Sequence, residues 1–242
     1  MIVFCNGLAK SGSSFLFQIT EKLAEAAGFN QDALRKQFVP DQFVPYKPHP
    51  HFVSVPPDKL SQWVRDIPDS QLIVVKTHDP CCPEAAELLR QKKIKVINSY
   101  RDPRDAAVSL WDSGLKERLT VDEKYRRFNI PSFPSAIMIL AHLANTNAEW
   151  IRNEDTLNLD FEEIAGAPYD VAIAIEQYLQ LGTNSFSIVS HYLKNRGNIR
   201  EYNIGVSGRY KTYMSLFEEG WCNQLYKQYD KLIEKMQATT SN

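Results

Sequence analysis

The sequence predicts a three-layer α/β fold, a central parallel β-sheet flanked by helices, and three observations predict it. Short apolar runs alternate with helical patterns, as βαβ units require. The first run ends in a glycine-containing loop that opens directly into a helix, the arrangement that gathers backbone N–H groups on an anion. Three separate runs end in polar clusters, at residues 10–14, 76–78 and 101–109. Open parallel sheets bind ligands beyond the carboxyl ends of their strands, so the fold would bring these clusters to one cleft.

The elements follow in order. Residues 2–5 (Ile2, Val3, Phe4, Cys5) form a short buried strand, and residues 6–12 the loop after it. Ser13 or Ser14 opens a helix with Phe15, Leu16, Ile19, Leu23 and Ala27 along one face, and Gly28 stops it. Residues 36–58 carry Pro40, Pro45, Pro48, Pro50, Pro56 and Pro57, which predicts an irregular excursion able to wall an acceptor pocket. A second strand covers 72–75, a helix 84–91, and a third strand 96–100 ending at Arg101. Asp102 and Pro103 then supply an N-cap and a first-turn proline. A polar middle spans 113–129, Pro131 and Pro134 mark a turn, and a helix covers 135–152. Residues 157–161 alternate like a strand, and 168–181 read as a helix. No internal repeat, low-complexity tract or linker interrupts the chain, so one domain over 1–242 is expected.

Bulk properties narrow the function. The 242 residues are 43% hydrophobic and 24% charged with net charge −1, ordinary for a water-soluble domain. That balance excludes a general nucleic-acid or anionic-membrane surface and leaves room for a local basic cleft. Cys5, Cys81, Cys82 and Cys222 do not make a disulfide framework, and no stretch has the length of a membrane span or signal core. A reduced, cytoplasmic protein without a targeting segment is expected.

The loop from Gly7 to Ser14 has the P-loop-like outline G-x-x-x-x-G-K-[ST], but Ser13 stands where an ATP-binding loop carries its lysine. The cation sits instead at Lys10. This keeps the anion cradle and abandons the γ-phosphate clamp, predicting a phosphorylated nucleotide without ATP chemistry. Arg101, with Ser109 about two turns into the following helix, could hold a phosphate monoester. The plainer reading of Arg101 is an ion pair with Asp102 or Asp105. His78 suits a general base, since imidazole titrates near ~6.5; its plainer reading is a structural hydrogen bond. The His49/His51 and Cys81/Cys82 groups lack two spaced ligand pairs, and no metal is expected. Asp160, Glu162 and Glu163 read as a capped turn, and Trp150, Trp221 and Tyr226 as core packing.

These motifs together resemble a family. The string Tyr100-Arg101-Asp102-Pro103-Arg104-Asp105-Ala106-Ala107-Val108-Ser109 is similar to the 3′-phosphate motif of sulfotransferases that use 3′-phosphoadenosine 5′-phosphosulfate (PAPS). Lys10-Ser11-Gly12-Ser13-Ser14-Phe15 resembles their 5′-phosphosulfate loop, and Val75-Lys76-Thr77-His78 the segment carrying their general base. Residues 157–164 resemble a family strand-turn element, with Phe161 in a tyrosine position. Gly205-Val206-Ser207-Gly208-Arg209-Tyr210-Lys211 resembles the C-terminal G-x-x-G-x-W-K signature, with Tyr210 for tryptophan. The match departs at Asn203-Ile204, where family members carry Arg-Lys at the 3′-phosphate; Arg196, Arg200 and Arg209 are candidate replacements.

The resemblance implies a PAPS-dependent sulfotransferase that moves a sulfuryl group to a hydroxyl or amine of a small-molecule acceptor, releasing 3′,5′-adenosine bisphosphate (PAP). It implies that Lys10 neutralises the bridging oxygen, Lys76 assists at the sulfuryl group and His78 takes the acceptor proton. Ser11, Gly12, Ser13 and Ser14 would hold the 5′-phosphate, Phe15 would stack on adenine, and Arg101 and Ser109 would hold the 3′-phosphate. Gly205 and Gly208 would belong to a cofactor lid. No metal, nucleic acid or membrane partner is implied. A nucleotide or small-molecule kinase and a non-catalytic nucleotide-binding relative remain as alternatives, and the acceptor and the choice of monomer or homodimer stay open.

Overall fold

Strands β1 (Ile2–Gly7), β2 (Ile73–Lys76), β3 (Ile94–Tyr100) and β4 (Leu157–Asp160) form one sheet in the order β2-β1-β3-β4, with every pairing parallel. The computed structural model describes residues 1–45, 49–120, 130–195 and 206–240. Helices α1 (Ser13–Ala26), α2 (Gln31–Phe38), α3 (Pro57–Asp66) and α4 (Pro83–Arg90) lie between the first three strands. Helices α5 (Pro103–Thr120) and α6 (Phe133–Ile151) separate β3 from β4. After β4 come α7 (Phe161–Gly166), α8 (Pro168–Leu179), α9 (Ser185–Asn195), α10 (Tyr210–Tyr213), α11 (Leu216–Leu225) and α12 (Lys227–Thr240).

The two-residue period of the strands builds the three layers. Val3, Cys5, Val74, Ile97 and Leu159 share one face with Leu16, Ile19 and Leu23 of α1 and Val171 and Ile175 of α8. Ile2, Phe4, Ile73, Val75, Ile94 and Val96 share the other with Trp63 of α3, Leu88 of α4 and Trp150 of α6. Strands buried on both faces need continuous apolar runs, as the fully buried starts of β1 and β2 show, whereas β4 at the sheet edge alternates Leu157, Asn158, Leu159 and Asp160. A further cluster joins α5 and α6 to Cys222, Tyr226, Tyr229 and Ile233 of α11 and α12.

Two stretches differ from expectation. Around the proline-rich region, α2 and α3 are regular helices, and Pro57 opens α3 as a first-turn proline. Between them, residues 51–53 run beside β2: Lys76 N–H donates to the His51 carbonyl at 2.7 Å, and Val53 N–H to the Lys76 carbonyl at 2.8 Å. The excursion therefore extends the sheet edge next to the carboxyl end of β2; Pro48 lies outside the described residues. Helix α5 continues to Thr120, so residues 113–120 of the expected polar middle are helical, and 121–129 lie outside the described residues.

From β1 the chain pairs with β2 on one side and β3 on the other. Connections diverge at that point, and the crevice beyond the carboxyl ends of β1 and β3 is where such sheets take ligands.

Candidate functional site

The loop from Gly7 to Gly12 is shaped by close approach. A Cβ on Gly7 would stand 2.0 Å from Ser99 Oγ, so the chain can leave β1 against β3 only through glycine. Lys10 turns through a left-handed conformation (φ 69°), and Gly12 through another (φ 89°), where a Cβ would meet Ile164 Cγ2 at 3.0 Å. Gly12 is the N-cap of α1 and provides no side-chain cap. The first-turn N–H groups of α1 thus keep the donor capacity and partial positive charge that favour an anion.

Ser11 is buried, and its Oγ donates to the Leu8 carbonyl at 2.6 Å and lies 2.6 Å from Ser99 Oγ. Its N–H also donates to the Leu8 carbonyl at 3.1 Å. Ser11 braces the loop from beneath.

Side chains from three other segments converge on this loop. From the end of β2, Lys76 Nζ donates to Ser14 Oγ at 2.8 Å. His78 Nδ1 lies 2.8 Å from the Gly7 carbonyl, which only accepts, so Nδ1 carries the proton and Nε2 keeps a bare lone pair. Burial, aided by the Lys76 charge, pushes the His78 pKa down to about 4. Its ring lies 5.5 Å from that of Phe52 on the edge segment. The next residue is anchored as well. Trp150 Nε1 donates to the Asp79 carbonyl at 2.9 Å, and the Asp79 carboxylate accepts from Ser54 Oγ and Val55 N–H at 2.9 and 2.8 Å.

Arg101 leaves β3 and is 6% exposed, too buried for the surface ion pair considered from sequence. Its Nη1 donates to the Lys10 carbonyl at 3.1 Å and its Nη2 to the Val206 carbonyl at 2.8 Å. The guanidinium carbon sits 3.7 Å from the centroid of the Phe161 ring. Burial lowers its pKa to about 10, which leaves it cationic at neutral pH. Lys10 Nζ reaches α5 from the loop side and donates to Ser113 Oγ at 2.8 Å. Ser109, one turn before Ser113, is buried and offers its carbonyl to Ser113 Oγ at 3.0 Å.

The remaining expected site residues are placed as follows. Ser13 is buried in the first turn of α1, and Ser14 is the partner of Lys76. The Phe15 ring meets Tyr192 of α9 edge-on at 5.1 Å. Gly208 donates its N–H to Asp105 at 2.6 Å. Gly205, Asn203, Ile204, Arg196 and Arg200 lie outside the described residues, while Arg209 pairs with Asp112 at 2.5 Å. Asp160 and Glu163 form a capping box on α7, as their spacing predicted.

Sequence reasoning gave Asp105 only the part of an ion-pair partner for Arg101 and passed over Ser113. The signal was present: Asp105, Ser109 and Ser113 recur every four residues, one polar stripe along α5. The carbonyl of Gly7 carries no sequence signal at all.

Two cavities bear on the location of the site. One of about 190 Å³ abuts Arg101 and is lined also by Asp102, Arg104, Asp160 and Ser207. A larger one of about 320 Å³ opens among Met1, Phe29, Gln71 and Leu181, at the amino ends of the strands. Its lining brings together no cation, base and anion cradle, so size does not mark the site here. Among the described residues no group of three or more His, Cys, Asp or Glu could hold a metal ion, and no helix is long and apolar enough to cross a membrane.

A family profile described as the sulfotransferase domain matches residues 2–195. None of the curated proteins matches the sequence. Among solved structures, retinol dehydratase in complex with retinol and PAP superposes with a TM-score of 0.56 at 18% identity, covering 94% of this chain and 80% of that one. Mouse sulfotransferase SULT7A1 complexed with PAP gives a TM-score of 0.56 at 14% identity, covering 94% and 84%. At these identities the likeness establishes the shared α/β fold.

Proposed function

The chain belongs to the sulfotransferase domain family, and from that premise we propose both that it is a PAPS-dependent sulfotransferase and how its own residues carry out the transfer. The acceptor is a small molecule bearing a hydroxyl or an amine. Its nucleophilic atom bonds to sulfur as the bond from sulfur to the 5′-phosphate oxygen breaks. The acceptor proton passes to His78 Nε2, and PAP leaves with the bonding electrons.

The observation that carries this reading is convergence on one loop: Lys76, His78, Arg101 and Ser113 all hydrogen-bond to residues 7–14. The residues fit a nucleotide phosphorylated on two separate carbons. The uncapped start of α1 suits one phosphate, and the buried Arg101 Nε, which has no hydrogen-bond partner among the described residues, suits the other. Lys10 within the loop would hold the charge that grows on the leaving oxygen, and Lys76 beside it would orient the sulfuryl oxygens. A loose transition state of this kind is stabilised chiefly by positioning and electrostatics. Two features support this role for His78: the Gly7 carbonyl holds the proton on Nδ1, and burial keeps the ring neutral, although the same burial makes it a weaker base in the nucleotide-free protein. The Phe52 ring, beside His78, would form part of the acceptor wall.

The test is His78→Ala with PAP affinity read alongside turnover. Sulfated product should fall about 10²- to 10⁴-fold, the range for losing a positioned general base, while PAP binds within about threefold of the unaltered protein. Turnover close to normal would remove His78 from the mechanism. Magnesium-dependent ATP turnover without sulfated product would assign the site to a kinase.

A further inference from the structure

Residues 206–210 cross α5 beside Arg101 and are held there by two opposite contacts. Arg101 Nη2 donates to the Val206 carbonyl at 2.8 Å. In the first turn of α5, Asp105 accepts from Gly208 N–H at 2.6 Å on one oxygen and from Tyr210 N–H at 3.0 Å on the other. Gly208 makes this geometry possible, because its left-handed conformation (φ 77°) turns the chain between the two amides. Asp105 is 2% exposed, and both bonds are charge-assisted in surroundings that strengthen them.

The position of this carboxylate asks for a physical reason. A buried anion beside a phosphate-binding arginine opposes the binding of a phosphate, unless its charge is engaged elsewhere. The nearby cations do not supply the hydrogen bonds: Arg104 is bonded to Asp102 and Asp230, and Arg209 to Asp112. The described donors to Asp105 are the two strap amides. Through them the strap is fixed relative to Arg101, whose Nη1 in turn holds the Lys10 carbonyl of the phosphate loop. One guanidinium thus joins two segments distant in sequence, and Asp105 sets the position of the second.

We infer that Asp105 is a positioning residue for the transfer reaction: it holds the Gly208 strap in register with Arg101 and thereby sets the affinity for the 3′-phosphorylated nucleotide. It does so without touching that nucleotide. The inference rests on the nucleotide reading given above, and its test separates the two.

Asp105→Asn keeps the side-chain shape while removing the charge and one acceptor oxygen. Amide exchange at Gly208 and Tyr210 should accelerate at least about tenfold, with β1 and β3 unchanged as the control for folding. The KM for PAPS should rise about tenfold, while kcat and the acceptor KM stay within about twofold. Unchanged exchange at both amides overturns the inference, and so does faster exchange with an unaltered KM for PAPS. Should the variant fail to fold, the unaltered protein decides: Gly208 and Tyr210 amides are expected to exchange about tenfold more slowly than those of Ser207 and Arg209, and equal rates refute the clasp. If the unaltered protein binds neither PAPS nor PAP, the nucleotide reading fails while the exchange comparison still judges the clasp.

Discussion

At the scale of single residues, the site depends on what each polar group is already bonded to. His78 illustrates this. Its Nδ1 proton is committed to the Gly7 carbonyl, and burial beside Lys76 disfavours a second proton, so the free protein holds a neutral imidazole down to about pH 4. Labelled-histidine NMR of nucleotide-free protein should therefore show one imidazole, absent in His78→Gln, with the Nδ1–H tautomer at neutral pH and an inflection near 4. An inflection at or above the ordinary ~6.5 would contradict the burial argument. The same depression has a stability consequence of definite sign. Between about 6.5 and 4 the unfolded chain takes up a proton at this histidine that the folded chain refuses. Its contribution to stability is therefore complete above pH ~6.5 and is lost as pH falls through that window. Ser11 teaches the complementary lesson: the motif names the residue correctly as part of the loop, but only coordinates show that its hydroxyl serves Ser99.

At the scale of elements, the strand-loop-helix unit around Gly7 carries most of the site, and it tolerates little. A methyl group on Gly7 would collide with Ser99 Oγ and also press on Ser11 Oγ and Ser13 Cβ, both at 3.1 Å. Rotating the Ser99 hydroxyl aside would sacrifice its bond to Ser11, and shifting the backbone would move the carbonyl that orients His78. Gly7→Ala is thus expected to cost about 1–3 kcal/mol of stability, as overpacking does, and to weaken PAP binding at least about tenfold. Calorimetric titration with PAP beside a denaturant melt checks both, and unchanged affinity would show the loop to be more pliant than its packing implies. Elements of this kind were legible in the sequence because their cause is local. Apolar runs gave β1 to β3, alternation over residues 157–161 gave β4, the Asp102-Pro103 pair gave the start of α5, and Gly28 gave the end of α1. Helices α2 and α3 were not recognised, although Asn30 caps the first and Pro57 opens the second. Each is short and sends few residues to the core, Leu60 and Trp63 in α3, so the prolines around them dominated the pattern. What brings Ser113 to Lys10 or Trp150 to the Asp79 carbonyl is tertiary packing, which leaves no trace at the residues concerned.

At the scale of the whole molecule, the family match ends at residue 195, yet the chain beyond it holds up the site. Arg104, just after Arg101, bonds to Asn223 in α11 and to Asp230 in α12. Tyr229 donates to Asn147 Oδ1 at 2.6 Å, and Asn147 donates to Asn98 on β3 at 2.7 Å, next to the Ser99 that braces the loop. Tyr226, 1% exposed, donates to the Ile137 carbonyl at 2.9 Å. Removing a buried large aromatic side chain costs about 3–5 kcal/mol, and a domain of ordinary stability has about 5–15 kcal/mol in all. Loss of Tyr226 and Tyr229 alone would consume most of that margin, before the exposed apolar faces of α5 and α6 are considered. We therefore propose that the chain is one cooperative unit, with α11 and α12 part of the same core as the phosphate loop. The full chain should unfold in a single calorimetric transition whose midpoint rises with added PAP. A chain ended after Asn195 should show no cooperative transition, should bind a dye specific for exposed apolar surface, and should not bind PAP. Two separate transitions in the full chain, with only one responding to PAP, would instead make the C-terminal helices an independent body, and the bonds from Tyr229 and Arg104 would then be too weak to couple it to the site.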